Sequence, residues 1–543
     1  MKKSFLSVIL LITGMISISF SQGPTWGWSE KFGGTGIDQV RAMASDKAGN
    51  LYLTGYFTSD TCSFGAFTLV NTSSASDLFL LKADSSGNVL WVKSAGGTQG
   101  DNGYSLAVDE YANVYVAGVF RSGSIAFGST MLINTDSSYA DLFVAKFDSS
   151  GNVIWAIKGG GMKDDYATCI TTYPGSVYVA GFFGDSSMTI GSETLTSAGF
   201  EDIFIASLDT SGGLQWAESY GGALNDEPYS VTVDAGGIYM GGYFSSPQIV
   251  LGNDTLLNNG NQDMLVMKTD LTGNVLWSKG AGGPGNDFIN KIGLNNNGKL
   301  LLTGGYSDTS VTFDATVLQN NGKADYLLVQ LDTSGITDWA TGAGDTANDA
   351  GSSLIADEFG NVYVCGSFYA ANITIGATTL INNGLLADVF IAKYDAQGNS
   401  LWAISVGGTA SDIPRDLSLN NSGRMFIAGN FQSPLVIFGN DSITNSGSDD
   451  IFFARLGASA VGIDEPGTTG TLAVYPNPST GKFYIQLPSG AETLQVYDIS
   501  GALVFTREVN SAFITIELDK KGLFLLRVVA GRQIYSQKIL TEE

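Results

Sequence analysis

The chain has 543 residues, too many for one simple core at roughly 100–200 residues per domain, and its 27 Lys plus Arg against 52 Asp plus Glu give a formal net charge of −25. That sign is wrong for neutralising phosphates, which excludes nucleic acid as a partner class. The absence of histidine removes His-ligated metal centres, Ser-His-Asp triads and Cys-His dyads, while 70 Gly, 11 Pro and 44% hydrophobic residues point to an all-β chain rich in tight turns.

Met1-Lys2-Lys3, the apolar run from Phe5 to Ile18 and the small-residue exit Ser19-Phe20-Ser21 have the three regions of a secretory signal peptide. Residues 1–21 are therefore expected to be removed, leaving a mature chain that starts near Gln22. The run is short for a membrane span, and no later segment reaches about 18 consecutive apolar residues. No integral membrane segment is expected in the mature protein. Cys62, Cys169 and Cys365 are odd in number and far apart, so no disulfide framework is expected.

Beyond the signal segment the chain is dominated by a repeat. GNVLW ends at Trp91, GNVIW at Trp155, GGLQW at Trp216, GNVLW at Trp277, GITDW at Trp339 and GNSLW at Trp402, and counting back from Trp91 reaches Trp28. An Asp stands ten residues after each Trp: Asp38, Asp101, Asp165, Asp226, Asp287, Asp349 and Asp412. A second Asp stands fourteen before six of them, at Asp77, Asp141, Asp202, Asp263, Asp325 and Asp388, and its seventh copy, Asp450, has no Trp after it. The series begins with a Trp strand lacking its upstream partner and ends with the partner lacking its Trp strand.

Four alternating runs recur in each repeat, as half-buried strands do. For residues 101–155 they are Tyr104–Val108, Asn113–Phe120, Asp141–Phe147 and Asn152–Ile157, joined in pairs by tight turns. The segment between the pairs, such as Ile125-Ala126-Phe127-Gly128, holds the length variation and reads as a loop. Seven four-stranded units of about 62 residues make a β-propeller over 22–456, closed by the N-terminal strand as the outer strand of the last blade. An open β-solenoid is the competing architecture, but it would need no complementary ends. The strings DSSGNVLW, GNVYVAG and GNLYLTG resemble bacterial propeller repeats of the SBBP type and, more distantly, the Trp-containing blades of quinoprotein dehydrogenases. Such repeats imply a fold and no defined activity. The quinoprotein apparatus does not transfer, because the sequence has no vicinal Cys pair and no matching quinone or calcium set.

Residues 457–471 break the pattern with Gly, Thr, Pro and Asp-Glu and read as a linker. Short strands with Gly turns then fill 472–543, as in a small β-sandwich. Pro476-Asn477-Pro478 with Gly481, Val496-Tyr497-Asp498 with Gly501, and Gly522 with Lys538 resemble the C-terminal sorting domain of the type IX secretion system of Bacteroidota. The resemblance implies Sec export, passage through the outer membrane by recognition of this domain, and its removal by a sortase-like protease. Secretion machinery and that protease are thus the implied partners, and the medium or the outer cell surface the implied location.

The two Asp series start the first and third strands, so up to fourteen carboxylates gather at one face. Asp101, Asp141, Asp165 and Asp202 are candidate ligands for Ca²⁺, which prefers such oxygens. Alternatively each Asp accepts backbone N–H bonds in its own turn. Recurrence in every repeat favours the second account, since a single site needs few carboxylates, and no cofactor is expected. The Trp series reads as blade packing rather than as a sugar platform. Tyr56-Phe57, Phe182-Phe183 and Tyr243-Phe244 at strand ends are candidate surface ligands. No nucleophile lies with a base, so the expectation is a secreted binding or adhesion scaffold without catalysis, its ligand a glycan or a surface protein. The alternative is a polysaccharide lyase or glycosidase working with carboxylates and Tyr.

Overall fold

Alternation of apolar and polar residues forces each repeat to pair its strands antiparallel and bury one face of each. The computed structural model describes residues 23–457 except 185, 385 and 422, and residues 472–542 except 489, 499–502, 510, 531 and 532. The signal-peptide segment, most of the linker and Gly501 lie outside the described residues. The chain divides into two compact units, Met1–Ala460 and Val461–Glu543, and all described elements are strands.

In the first unit, antiparallel sets of four strands start at Asp38, Asp101, Asp165, Asp226, Asp287 and Asp349, each in simple sequence order, the set from Asp101 being extended to six strands by the hairpin Ser187–Ile190 with Glu193–Thr196 of the next repeat. These are blades 1 to 6. Blade 7 combines Asp412–Leu419, Met425–Phe431 and Asp450–Leu456 with Trp26–Phe32 as its outermost strand. The pairing of Trp28 with Arg455 and Phe32 with Ile451 joins the two ends of the repeat array. First strands of successive blades lie side by side, and Asp412–Leu419 lies against Asp38–Ser45, which closes the circuit.

The cores lie between blades. Tyr52, Leu78 and Leu80 of blade 1 pack with Val116, Phe120 and Phe143 of blade 2, all buried, and equivalent clusters recur around the ring. Each such side chain contributes about 1.5–3 kcal/mol by leaving water. Blades 7 and 1 share a cluster of the same kind, in which Phe426 and Phe453 meet Leu51 and Phe79 and Trp28 packs against it.

The segment between the second and third strands is not a plain loop. In every blade it is a short hairpin, such as Ser124–Phe127 with Thr130–Ile133 in blade 2. Its buried face is only Ile125, Phe127 and Leu132, while Met131 and Ile133 face solvent. The two-residue turn puts its first residue at positive φ, 59° at Gly128, which favours Gly. In blade 5 Asp314 takes that place at 50°.

The outer-strand Trp is a latch between blades. Trp155 Nε1 donates to Thr210 O of the next blade at 3.1 Å, and its ring lies against Gly212 of that turn, where a Cβ would come within 2.9 Å. Trp91, Trp216, Trp277 and Trp339 bond the equivalent carbonyls of Ser149, Leu271, Thr333 and Ala396. The turns they grip are rigid because the leading Asp accepts from backbone amides two and four residues on, as Asp148 does from Ser150 and Asn152, both at 2.9 Å.

The second unit has two sheets, Ala473–Tyr475 with Lys482–Gln486 and Phe513–Glu517, and Leu503–Glu508, Ala491–Asp498, Gly522–Ala530 and Gln533–Thr541. Phe483, Ile485, Leu494, Val496, Leu526 and Val528 form its buried core.

Deleting residues up to Phe32 strips blade 7 of its outer strand and exposes both an unpaired edge and the Phe426–Phe453 cluster. Calorimetry should show a lowered unfolding midpoint or aggregation, and an unchanged melting curve would refute the closure. Trp155→Phe keeps most of the packing but loses one hydrogen bond, so a loss of about 0.5–1.5 kcal/mol is expected in denaturant titration.

Candidate functional site

The carboxylates nominated from the sequence lie at one end of the ring, where first and third strands begin. Asp101 Oδ1 accepts from the amides of Arg121 and Ser122 at 3.1 Å each, and Ser122 Oγ donates to Oδ2 at 2.6 Å. Asp38, Asp226 and Asp412 hold Ser59, Ser246 and Ser433 in the same way. Asp165 Oδ2 accepts from the Gly161 amide at 2.6 Å, and Asp202 Oδ2 from the Ala198 amide at 2.5 Å. Asp141 receives Lys158 Nζ at 2.6 Å and Thr135 Oγ1 at 2.8 Å. The two series meet across blade borders, the third-strand Asp of one blade beside the first-strand Asp of the next. The backbone carries the same link, with the Asp165 amide bonding Ala140 O at 2.8 Å.

The Gly-Gly pairs make room for this. A Cβ on Gly96, Gly160 or Gly221 would lie 1.9, 2.2 or 2.1 Å from Oδ1 of Asp77, Asp141 or Asp202. Oδ1 of Asp77, Asp202, Asp263, Asp325, Asp388 and Asp450 is buried without a hydrogen-bond partner. Burial, with the neighbouring carboxylate, pushes Asp77, Asp202 and Asp388 up to about 6 and Asp165 to about 8. Among the described residues no three His, Cys, Asp or Glu side chains gather as a metal-binding group.

Side-chain diversity lies just inside this ring. Every first strand carries a bulge that leaves its fourth residue unpaired: Arg41, Tyr104, Thr168, Tyr229, Asn290, Ser352 and Arg415. A bulge re-aims a side chain, and here it does so at the mouth of the central channel. The Arg41 guanidinium lies 5.4 Å from the Tyr56 ring centre and 5.7 Å from that of Tyr104. Tyr104 meets Tyr166 at 5.8 Å, and Tyr166 stacks on Phe182 at 4.9 Å. Of the three aromatic pairs singled out in the sequence, Phe57, Phe183 and Phe244 are core; Phe182 and Tyr243 are buried as well, packed against Tyr166 and Tyr229 at this mouth, and only Tyr56 is half-buried there.

The mouth has two electrostatic sides. On one, Arg415 is held below its usual range, at about 10, by burial and by the like charge of Arg41. On the other, Tyr243 donates to Glu227 Oε1, and Glu227 in turn shares a hydrogen bond with Glu201, whose carboxyl is pushed up by burial and by that neighbour. Two carboxyls sharing a hydrogen bond are far closer than the ~5–9.5 Å at which a glycosidase places its acid and its base or nucleophile.

Deeper in the channel a cavity of about 330 Å³ is lined by Met43, Leu106, Ile170, Val231, Leu354 and Leu417 among others. There Lys291 of blade 5 meets Asp416 of blade 7 at 3.1 Å, and Ser353 of blade 6 donates to the same oxygen at 2.6 Å. Charge is neutralised at that depth. Cys365 is a fully buried core residue.

In the C-terminal unit, Asn477 clamps the last strand, donating to Lys538 O at 2.7 Å and accepting from the Leu540 amide at 2.8 Å. Pro476 and Pro478 flank it with cis peptides, and Gly481 and Gly522 adopt φ of 122° and 132°. Tyr497 and Asp498 end a central strand, paired with Leu525 and Phe524, and Tyr497 donates its hydroxyl to Gln495 at 2.9 Å.

The raised carboxyls set the pH dependence. Their folded values of about 6 to 8 exceed the ~3.9 of an unfolded Asp, so between these limits the folded chain holds protons that the unfolded chain has released. Their contribution to stability is complete below about pH 4 and is lost as pH rises through 8. The thermal midpoint should fall between pH 5 and pH 8 at constant ionic strength, with Asp165→Asn flattening the upper part of the slope. A midpoint that rose over this range would contradict the burial.

Residues 473–542 match the family described as secretion system C-terminal sorting domain. Over 79% of its length the chain is 21% identical to an uncharacterized WD repeat-containing protein, L264, of Acanthamoeba polyphaga mimivirus. It is 27% identical over 42% of its length to the regulatory protein FlaEY of Caulobacter vibrioides. The aligned parts span only 38% and 26% of those relatives. Among solved structures it aligns with PorZ, a surface component of the type-IX secretion system of Porphyromonas gingivalis, at 10% identity and TM-score 0.18, covering 93% of this chain and 81% of that one. It aligns with YCF48 bound to D1 peptide at 8% identity and TM-score 0.37, covering 80% and 99%. The chain thus joins a β-propeller of four-stranded blades to a C-terminal domain of the type IX secretion sorting family.

Proposed function

We propose that this is an exported β-propeller that binds a ligand at the channel mouth of its Asp-bearing face and performs no chemistry on it. The observation that carries the reading is the division of labour at that face. The repeated carboxylates are engaged by backbone amides, Ser or Lys, whereas the bulge positions vary from blade to blade and bring Arg41, Tyr104, Tyr229 and Arg415 to the opening. Exposed aromatic and polar groups on a rigid scaffold are the usual makings of recognition. The ligand class is a glycan or a surface protein, and the partners on the way out are the secretion machinery and its sortase-like protease. The protein then acts at the cell surface or in the medium. A glycosidase reading would need separated carboxylates, and the Glu201–Glu227 pair is too close to serve.

Three measurements test this. A chain ending at Thr469 should fold as a propeller and stay in the periplasm; its arrival at the surface or in the medium would refute the sorting role. Chelator should move stability by less than about 1 kcal/mol, where a Ca²⁺ site at 100 times its Kd would contribute about 2.7 kcal/mol. A glycan array read alongside reducing-sugar release separates binding from catalysis, and release of sugar ends would overturn the scaffold reading.

A further inference from the structure

The two guanidinium groups at the channel mouth differ from the cations nearest them in having no carboxylate partner. Lys291 deeper in the channel, Lys158 at the Asp ring and Arg121 beside the mouth each have a carboxylate within 3.1 Å. Arg41 and Arg415 have none within 4 Å among the described residues, and Nε of each is buried without a hydrogen-bond partner. Asp449 acts on Arg415 only as a charge beyond ion-pair distance; its Oδ2 is bonded by Gln39 Nε2 at 2.6 Å and its Oδ1 is buried without a hydrogen-bond partner. Two like charges brought together with donors unused, in a chain of net charge −25, are costly unless an oxyanion completes them. A guanidinium fork matches a carboxylate or sulfate in two parallel bonds.

What surrounds them is aromatic. Arg41 lies over Tyr56 and Tyr104, which hold it from behind. Tyr369 lies near Arg415 and keeps 36% of its surface exposed, and Tyr229 across the mouth keeps 37%. Open ring faces beside oxyanion donors suit a sugar ring, which offers C–H bonds to an aromatic face and hydroxyls to amides and carboxyls. A peptide added as a strand would instead ask for a free strand edge, and carbonyls of the first strands are already taken by the neighbouring blade, Pro228 O by Thr168 at 2.6 Å and Gly351 O by Asn290 at 2.8 Å.

We propose that the mouth of the channel is a subsite for an acidic glycan, with Arg41 and Arg415 clasping the carboxylate or sulfate of one sugar and Tyr369 stacking against its ring. This rests on the binding reading above and narrows it to one ligand chemistry. The overall negative charge makes the inference sharp, because a polyanion gains nothing from non-specific attraction to this chain.

The test is titration calorimetry on the full chain with four probes: oligogalacturonate, a sulfated dextran oligomer, neutral dextran and poly-glutamate. One of the two acidic sugars should bind, which of them does deciding between carboxylate and sulfate, and neutral dextran and poly-glutamate should not. Arg41→Gln should weaken that binding by about tenfold or more, and Tyr369→Ala should weaken it with the unfolding midpoint unchanged. Lys47→Gln, an exposed residue paired with Glu110, should bind as the unaltered chain does. Arg415→Lys serves if Arg41→Gln fails to fold. Binding of neutral dextran or poly-glutamate alone would overturn the acidic-glycan assignment while leaving a binding scaffold in place. Acidic-sugar binding unmoved by either Arg variant would overturn the site. Cleavage of a probe would overturn the scaffold reading itself.

Discussion

A single blade cannot stand alone, because its two faces are apolar and only another blade can cover both. The architecture therefore depends on inter-blade contact, and most of the repeated sequence serves that contact. The core clusters join neighbouring blades rather than filling one. The outer-strand Trp reaches over the border to a carbonyl and a Gly of the next turn. Lys146 does the same from the third strand, donating to Thr210 O at 2.9 Å while lying 5.0 Å from the Tyr115 ring centre of its own blade. A ring built this way has no weakest blade only if its ends meet, and the pairing of Trp26–Phe32 with Asp450–Leu456 makes them meet.

The acidic character of the chain comes from the same constraint. Asp is the residue that most compactly satisfies several backbone amides, and it is used twice over, in the turns gripped by Trp and at the strand starts of the opposite end. In exposed turns the amides and the Asn side chain hold the carboxylate in its charged form, so Asp148 titrates below its usual range. At the strand starts burial opposes ionisation, and third- and first-strand carboxylates of adjoining blades repel one another. One residue type thus stabilises opposite ends of the blade with opposite dependence on pH, which confines the best stability to mildly acid conditions.

The repeat, the ring closure and the C-terminal module are legible in the sequence because each rests on short-range spacing: a Trp every 61 to 64 residues, an Asp at fixed offsets, and three ordered motifs at the end. The inserted hairpin is not. Its strands are four residues long with one face open to water, so a segment such as Ile125 to Ile133 differs little from a loop with scattered apolar residues. The inter-blade partner of each Trp is equally hidden, since a carbonyl about 55 residues away leaves no mark in sequence.

The channel mouth is the least legible part, for a reason that bears on its use. Arg41, Tyr104, Thr168, Tyr229, Asn290, Ser352 and Arg415 occupy equivalent positions but share no chemistry, so a search for recurrence passes over them. What recurs seven times is what the ring needs seven times. A single ligand breaks the ring's symmetry, and a site for it must be built from positions where the copies differ. The bulge supplies such positions because its residue is outside the ladder. In this chain the differences are not scattered. The two arginines are neighbours on blades 7 and 1, and the acidic pair Glu201 and Glu227 comes from blades 3 and 4. That polarity across one opening is a property of the assembled ring, created by closure and absent from any single repeat.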